Sequence, residues 1–332
     1  MSWGKVNDRL LDQTILPGVC CGKQRGWHLQ KDKLDGFGAV SLVGVTLLLA
    51  LNQVIVVEVN KGLQPVFFAG LRSGLSVFAV GLWMWSRGRP PIFRSQDIVP
   101  GLLVGAVFAA EFLCLFLALD LTTLGRASVI FYSMPLWLSL MAHFGLPGQR
   151  ITRVKAVGLV IAFMGTAIAI LARTDGTGGS LLGDLLALGA AFGWAGAAYL
   201  ARKTSLSEVG PEMQLFWMVL ISGPILLVLS PLFGDLVREL TFYHILGLLF
   251  QSTAVIAGGF IFWLWLLSVY PTAIVASFSF LTPVFSLGFG VLLYGEHVTL
   301  PILISATLVG MGIALINRRS AAPAAGEIKS ET

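Results

Sequence analysis

Apolar runs of about 20 residues, broken only by short polar punctuation, fill the chain from residue 36 to residue 317. They lie near 36–57, 65–86, 97–119, 124–145, 151–172, 181–202, 211–233, 242–267, 271–294 and 299–317. A helix is the one single-segment structure that satisfies its own backbone hydrogen bonds in lipid, and about 20 apolar residues suffice to span it. The pattern therefore predicts an all-α membrane protein with ten transmembrane helices. The punctuation ("KGLQP", "SRGRPPIFRSQD", "GLPGQR", "RTDGTGG", "SEVGPE", "YP", "YGEH") is the vocabulary of tight turns, so successive helices are expected to run antiparallel.

Two phrases repeat. "GQRIT" (148–152) and "GEHVT" (295–299) each close one apolar run and open another, and Met164-Gly165 and Met311-Gly312 follow at the same spacing. "YSMPLWLSL" (132–140) aligns with "FLTPVFSLG" (280–288), which makes Pro135 and Pro283 equivalent. Five predicted helices separate the copies, so the same phrase falls on opposite faces of the membrane. The repeat is inverted, as in many secondary transporters.

Charge orients it. With the N-terminus inside, the cytoplasmic segments hold Arg87, Arg89, Arg94, Arg150, Arg153, Lys155, Arg202, Lys203, Arg318 and Arg319, besides the basic residues of 1–35. The outer side holds Lys61, Arg126, Arg173 and Arg238. The positive-inside rule places both termini in the cytoplasm. Four segments are expected: a cytoplasmic tail or extension (1–35), a first five-helix repeat (36–173), a second, inverted repeat (180–318) and a cytoplasmic tail (319–332).

Composition agrees with a lipid-solvated chain: 56% hydrophobic, 12% charged, mean hydropathy +0.85. A net charge of +5 gives no reason to expect a nucleic-acid partner, and three cysteines, two of them adjacent, form neither a disulfide framework nor a metal pattern. The expected partners are the bilayer, a small-molecule solute and, as a coupling ion, the proton. No cofactor or metal is expected.

The residues also resemble a family. "LALNQ" with Asn52, "PVFFAGLRSGL" with Arg72, "LALDLTTLGRASVIFYSMP", and "LLYGEHVT" before a glycine-rich last helix are similar to the EamA-type transporters of the drug/metabolite transporter superfamily. Leu49 stands where many members carry Trp. The resemblance covers residues 36–318 and implies export of amino acids and small metabolites across the inner membrane of a bacterium-like cell.

Arg72 and Glu111 are the clearest full charges within lipid-spanning runs, where charges face protein or a wet cavity. Counted from the outer ends of helices two and three, they lie about 10 and about 12 Å deep. An ion pair is feasible. Three roles stay open: a structural salt bridge, a zwitterion site with Arg72 on a carboxylate and Glu111 on an ammonium, or a proton-carrying Glu111. The other candidate solute contacts are Asn52, Tyr132, Trp194, Trp217, Gln251, Trp263 and Phe280, each also explicable by helix packing. Pro135 and Pro283 are candidate gating hinges. With one arginine this deep, multiply charged anions are disfavoured. A neutral or zwitterionic metabolite fits, with a lipophilic organic cation held by Glu111 and aromatics as the alternative. No set of acid–base or metal groups converges at one depth, so no catalytic residue is assigned and an enzyme is not expected.

Overall fold

The computed structural model describes residues 35–146, 151–171, 179–259, 262–263, 266, 269–270, 278 and 281–317. Regular structure among them is helical apart from one isolated β-bridge, Leu63 to Val237. In chain order the α-helices are α1 (Gly36–Gly62), α2 (Pro65–Ser86), α3 (Ser95–Leu121), α4 (Leu124–Phe131), α5 (Met134–Gly145), α6 (Arg153–Leu171), α7 (Leu181–Lys203), α8 (Pro211–Leu229), α9 (Phe242–Phe250), α10 (Leu281–Tyr294) and α11 (Leu300–Asn317). A π-helical stretch, Gln251–Gly259, continues α9. Seven candidate spans are long and apolar enough to cross a membrane, α4 and α5 together forming one (Leu124–Gly145). The apolar helices Phe242–Ile256, Leu281–Tyr294 and Leu300–Ile316 are shorter.

The starts of these helices are written locally. Asp35 caps α1, accepting from Gly38 N at 2.8 Å, and Ser180 caps α7, accepting from Gly183 N at 3.0 Å. Pro65 and Pro211 occupy the first turns of α2 and α8, where a missing N–H costs nothing. Thr241 and His244 form a reciprocal capping box on α9.

The fourth expected helix, 124–145, forms one candidate span, Leu124–Gly145, whose regular helix is interrupted at Tyr132 and Ser133, with Pro135 in the first turn after the interruption. Proline has no N–H to offer the preceding turn, and its ring crowds the helical backbone before it. Pro283 is the third residue of α10.

In lipid, apolar contact between helices gains little, and close backbone approach takes over. The α6–α11 interface is built that way: a Cβ on Gly312 would meet Gly158 O at 2.5 Å, and Ser305 Oγ donates to Gly165 O at 2.6 Å. α2 likewise packs on α8, α3 on both α7 and α8, and α10 on α1 and α4. Phe78, Leu82, Trp85, Phe144, Leu171, Val228 and Leu292 point outward, as lipid-facing side chains do.

The turns after α1, α3, α8 and α10 gather at one end of the bundle, called here the Arg238 end. Hydrogen bonds there join Arg238 to Asp120, Ser180 to Leu121, and Glu296 to Leu124. The sequence reading places this end outside the cell. The largest buried cluster runs from it toward the middle of the bundle through Val59, Val66, Phe68, Phe116, Leu119, Leu124 and Ile130.

Candidate functional site

Phe112 and Phe116 are one helical turn apart on α3, so both rings face α2. Arg72 on α2 lies over them, its guanidinium carbon 4.7 Å from the Phe112 centroid and 5.5 Å from that of Phe116. Glu111 immediately precedes Phe112. Both charged residues are buried, Arg72 at 6% and Glu111 at 2% exposure. They are within mutual electrostatic reach, yet among the described residues no ion pair joins them within 4 Å. Arg72 Nε and Glu111 Oε2 each lack a hydrogen-bond partner. The feasible ion pair is therefore not closed. α7 holds Glu111 in place from the other side, since a Cβ on Gly193 would stand 2.8 Å from Glu111 Cβ.

A polar seam runs beside this pair at similar depth. Gln251 Nε2 donates to Asn52 O at 2.8 Å, leaving Gln251 Oε1 and Asn52 Oδ1 without partners. Ser76 Oγ donates to Arg72 O at 2.7 Å and reaches Ser252 O at 3.2 Å. Gln53 Oε1 accepts from Ser128 of α4 and from Ser286 of α10, knotting three helices at one amide. Tyr132 is buried at the α4–α5 break beside Thr282 of α10. Trp194, next to Gly193, packs half-buried on the main core.

Two nominated tryptophans lie elsewhere. Trp217 is six residues from the start of α8, about 9 Å from the end opposite Arg238. There it packs edge-on against Phe93 at 5.1 Å and presses on Gly101, with its Nε1 unpartnered. Trp263 packs against Leu42, Val45, Leu266, Val269 and Tyr270, toward that same opposite end. Phe280 lies outside the described residues. The structure thus joins Gln251 to Asn52 and sets Arg72 against the α3 turn that carries Glu111; Tyr132 and Trp194 belong to the same main core, and Trp217 and Trp263 lie toward the opposite end.

Sequence reasoning missed a second buried charge pair. Arg126 Nη2 meets Asp184 Oδ2 at 2.7 Å, with side chains 6% and 0% exposed. Thr122 Oγ1 donates to Asp184 Oδ1 at 2.7 Å, and Arg126 also donates to Ala169 O. An aspartate four residues into an apolar run was the available signal for Asp184.

Nearby, Glu296 accepts from Leu124 N at 2.6 Å and Gly125 N at 3.0 Å, capping α4 with a carboxylate. Burial raises its pKa above the usual carboxylate range, against the lowering effect of those two N–H groups. Arg238 is held above its ordinary range by hydrogen bonding to Asp120.

The EamA-like transporter family model matches residues 36–171 and 181–318. The "Uncharacterized transporter YvbV" of Bacillus subtilis (strain 168) is 30% identical over 276 residues, spanning 80% of this chain and 86% of the relative. The "Probable amino-acid metabolite efflux pump" of Escherichia coli (strain K12) is 26% identical over 289 residues, spanning 83% of this chain and 93% of the relative. A solved crystal structure superposes with a TM-score of 0.59 at 19% identity, covering 84% of this chain and 96% of the other, and so shares the fold.

Proposed function

Because this chain belongs to the EamA-like transporter family, and is thus a multi-pass membrane transporter, we propose that it exports small neutral or zwitterionic metabolites, amino acids foremost. Export is across the cytoplasmic (inner) membrane, by alternating access through the layer around Arg72 and Glu111.

The carrying observation is the open charge pair. A purely structural salt bridge in a low-dielectric interior needs close contact and full hydrogen bonding to offset desolvation. Arg72 and Glu111 are instead buried, opposite in sign and separate, each with an unpartnered polar atom. An α-amino acid matches that arrangement, its carboxylate on the Arg72 fork and its ammonium on Glu111. Asn52 Oδ1 and Gln251 Oε1 supply further acceptors in the same layer. The aromatic faces a lipophilic cation would seek, Phe112 and Phe116, already carry Arg72, which disfavours the organic-cation alternative.

The name of the Escherichia coli relative supports the same solute class. Ten spans in two inverted halves with cytoplasmic termini are part of the proposal. The packing of α6 on α11 and of α2 on α8 supports it, because each contact couples corresponding positions of the two family-matched segments. Pro135 and Pro283 then stand at related places as hinges that close opposite faces in turn.

Counterflow tests the reading: proteoliposomes preloaded with one amino acid should accumulate a labelled one from outside. Accumulation driven only by preloaded organic cations would overturn it. If Glu111→Gln preserves exchange but abolishes the response to a pH gradient, Glu111 carries the proton instead of the ammonium contact.

A further inference from the structure

The Arg238 end is strapped shut directly above the Arg72–Glu111 layer. Segment 234–241, between α8 and α9, crosses the α1–α2 turn as a short backbone ladder. Gln64 N donates to Leu236 O at 3.0 Å, Arg238 N to Gly62 O at 3.0 Å, and Glu239 N to Lys61 O at 3.4 Å. The Arg238 side chain then reaches α3, Nη1 to Asp120 Oδ1 at 2.8 Å and Nη2 to Oδ2 at 2.9 Å, and also donates to Asn60 O at 2.8 Å. Asn60 Nδ2 in turn donates to Phe116 O at 3.1 Å, on the residue whose ring carries Arg72. The strap is thus wired, contact by contact, to the aromatic floor of the site.

Asp120 lies nine residues past Glu111 on α3, about 14 Å nearer the Arg238 end. The other end of α3 carries Asp97, fully buried, whose Oδ1 accepts from Ser205 at 2.6 Å in the turn between α7 and α8. α3 is therefore fastened by an aspartate at each end, with Glu111 between, to the two loops that flank α8. The fastenings differ: a two-pronged charge pair with a backbone ladder at one end, a single hydroxyl at the other.

We propose that the Asp120–Arg238 pair is the latch of the gate at this end, which must break for the Arg72–Glu111 layer to open there. Its exposure suits a reversible latch. Arg238 and Asp120 side chains are 38% and 21% exposed, so water can take over both charges when they part. The neighbouring Arg126–Asp184 pair, sealed from solvent with further bonds to Thr122 and Ala169, is a fixed brace by the same criterion. Bidentate geometry gives the latch its register.

The purpose of the latch rests on the alternating-access reading, but its test needs no solute. In a chain with Cys20, Cys21 and Cys114 replaced by serine, Ser73→Cys places a thiol beside Arg72, at a position now fully buried. A second chain with Asp235→Cys marks which membrane face carries the strap. Labelling of position 73 by a membrane-impermeant thiol reagent from that face should rise about tenfold in Arg238→Gln and in Asp120→Asn, as the closed population loses its latch. The exchanged pair Asp120→Arg with Arg238→Asp should return it toward the starting rate. With the latch unmutated, the rate should also climb with ionic strength, because a partly exposed pair is screened. Unchanged labelling in both single variants, equal gains from both faces, or a salt-independent rate would overturn the proposal. A latch that opens in a chain failing counterflow would leave the gate standing and the solute assignment wrong.

Discussion

The Arg126–Asp184 brace gives the most quantitative prediction for stability. Asp184 is fully buried and accepts from Arg126 Nη2 at 2.7 Å, Arg126 Nε at 3.3 Å and Thr122 Oγ1 at 2.7 Å. Asp184→Ala strands a guanidinium that is 6% exposed, and removing one partner of a buried pair costs roughly 3–5 kcal/mol. Asp184→Asn keeps an acceptor for Thr122 but loses the charge, so its cost should fall below that of alanine. Thr122→Val removes one neutral-to-charged hydrogen bond and should cost about 1.5–3 kcal/mol at most. The pair as a whole is a weak source of net stability once its desolvation is counted, so Arg126→Met with Asp184→Leu should recover most of the loss. Thermal unfolding of purified protein in one detergent, followed by tryptophan fluorescence, ranks the four variants by apparent Tm. Equal small shifts in all of them, or a double variant as damaged as the worst single one, would refute this account of the brace.

Other outcomes follow from the same contacts. Pro135→Ala and Pro283→Ala should lower transport rate more than solute affinity, and normal turnover in both would reduce these prolines to packing features. Arg150→Cys should label only from the cytoplasm and His297→Cys only from outside; the reverse at either position would sink the proposed topology. Burial favours the neutral form of Glu296 in the folded chain, raising its pKa above 4.5. Its stabilising share is thus full below that value and lost as pH rises through the raised one. Apparent Tm should carry that downward slope in the native chain, and Glu296→Gln should flatten it. A slope left intact would place its source elsewhere.

Much of the helical layout is legible in hydropathy, because a span must bury its backbone bonds wherever it sits. Residues 65–86 were expected as a helix and α2 is Pro65–Ser86; residues 181–202 were expected and α7 is Leu181–Lys203. A disturbance of 124–145 is expected from Pro135, but its extent is not legible, since an apolar run looks the same kinked or divided at Tyr132 and Ser133. Arg126 is counted with the outer-side charges, at the start of the expected helix 124–145. The turn at 122–123 is so tight that Arg126 falls inside the bundle, 5% exposed. Its partner is 58 positions away, and Asp120 and Arg238 are 118 apart. Such pairings are set by how helices cross, which local pattern does not encode. The depths of Arg72 and Glu111 follow from a rise per residue; that they stay apart depends on Phe112 and Phe116 lying beneath the guanidinium.

The central claim is that Arg72 and Glu111 meet the two charges of a zwitterionic solute. Counterflow of a labelled amino acid into proteoliposomes carrying Arg72→Met with Glu111→Gln tests it most directly, alongside gel filtration of the same preparation. The account predicts a monodisperse, folded protein that no longer exchanges amino acids, because both counter-charges are gone. Exchange at the unmutated rate would contradict it and leave the pair a structural feature.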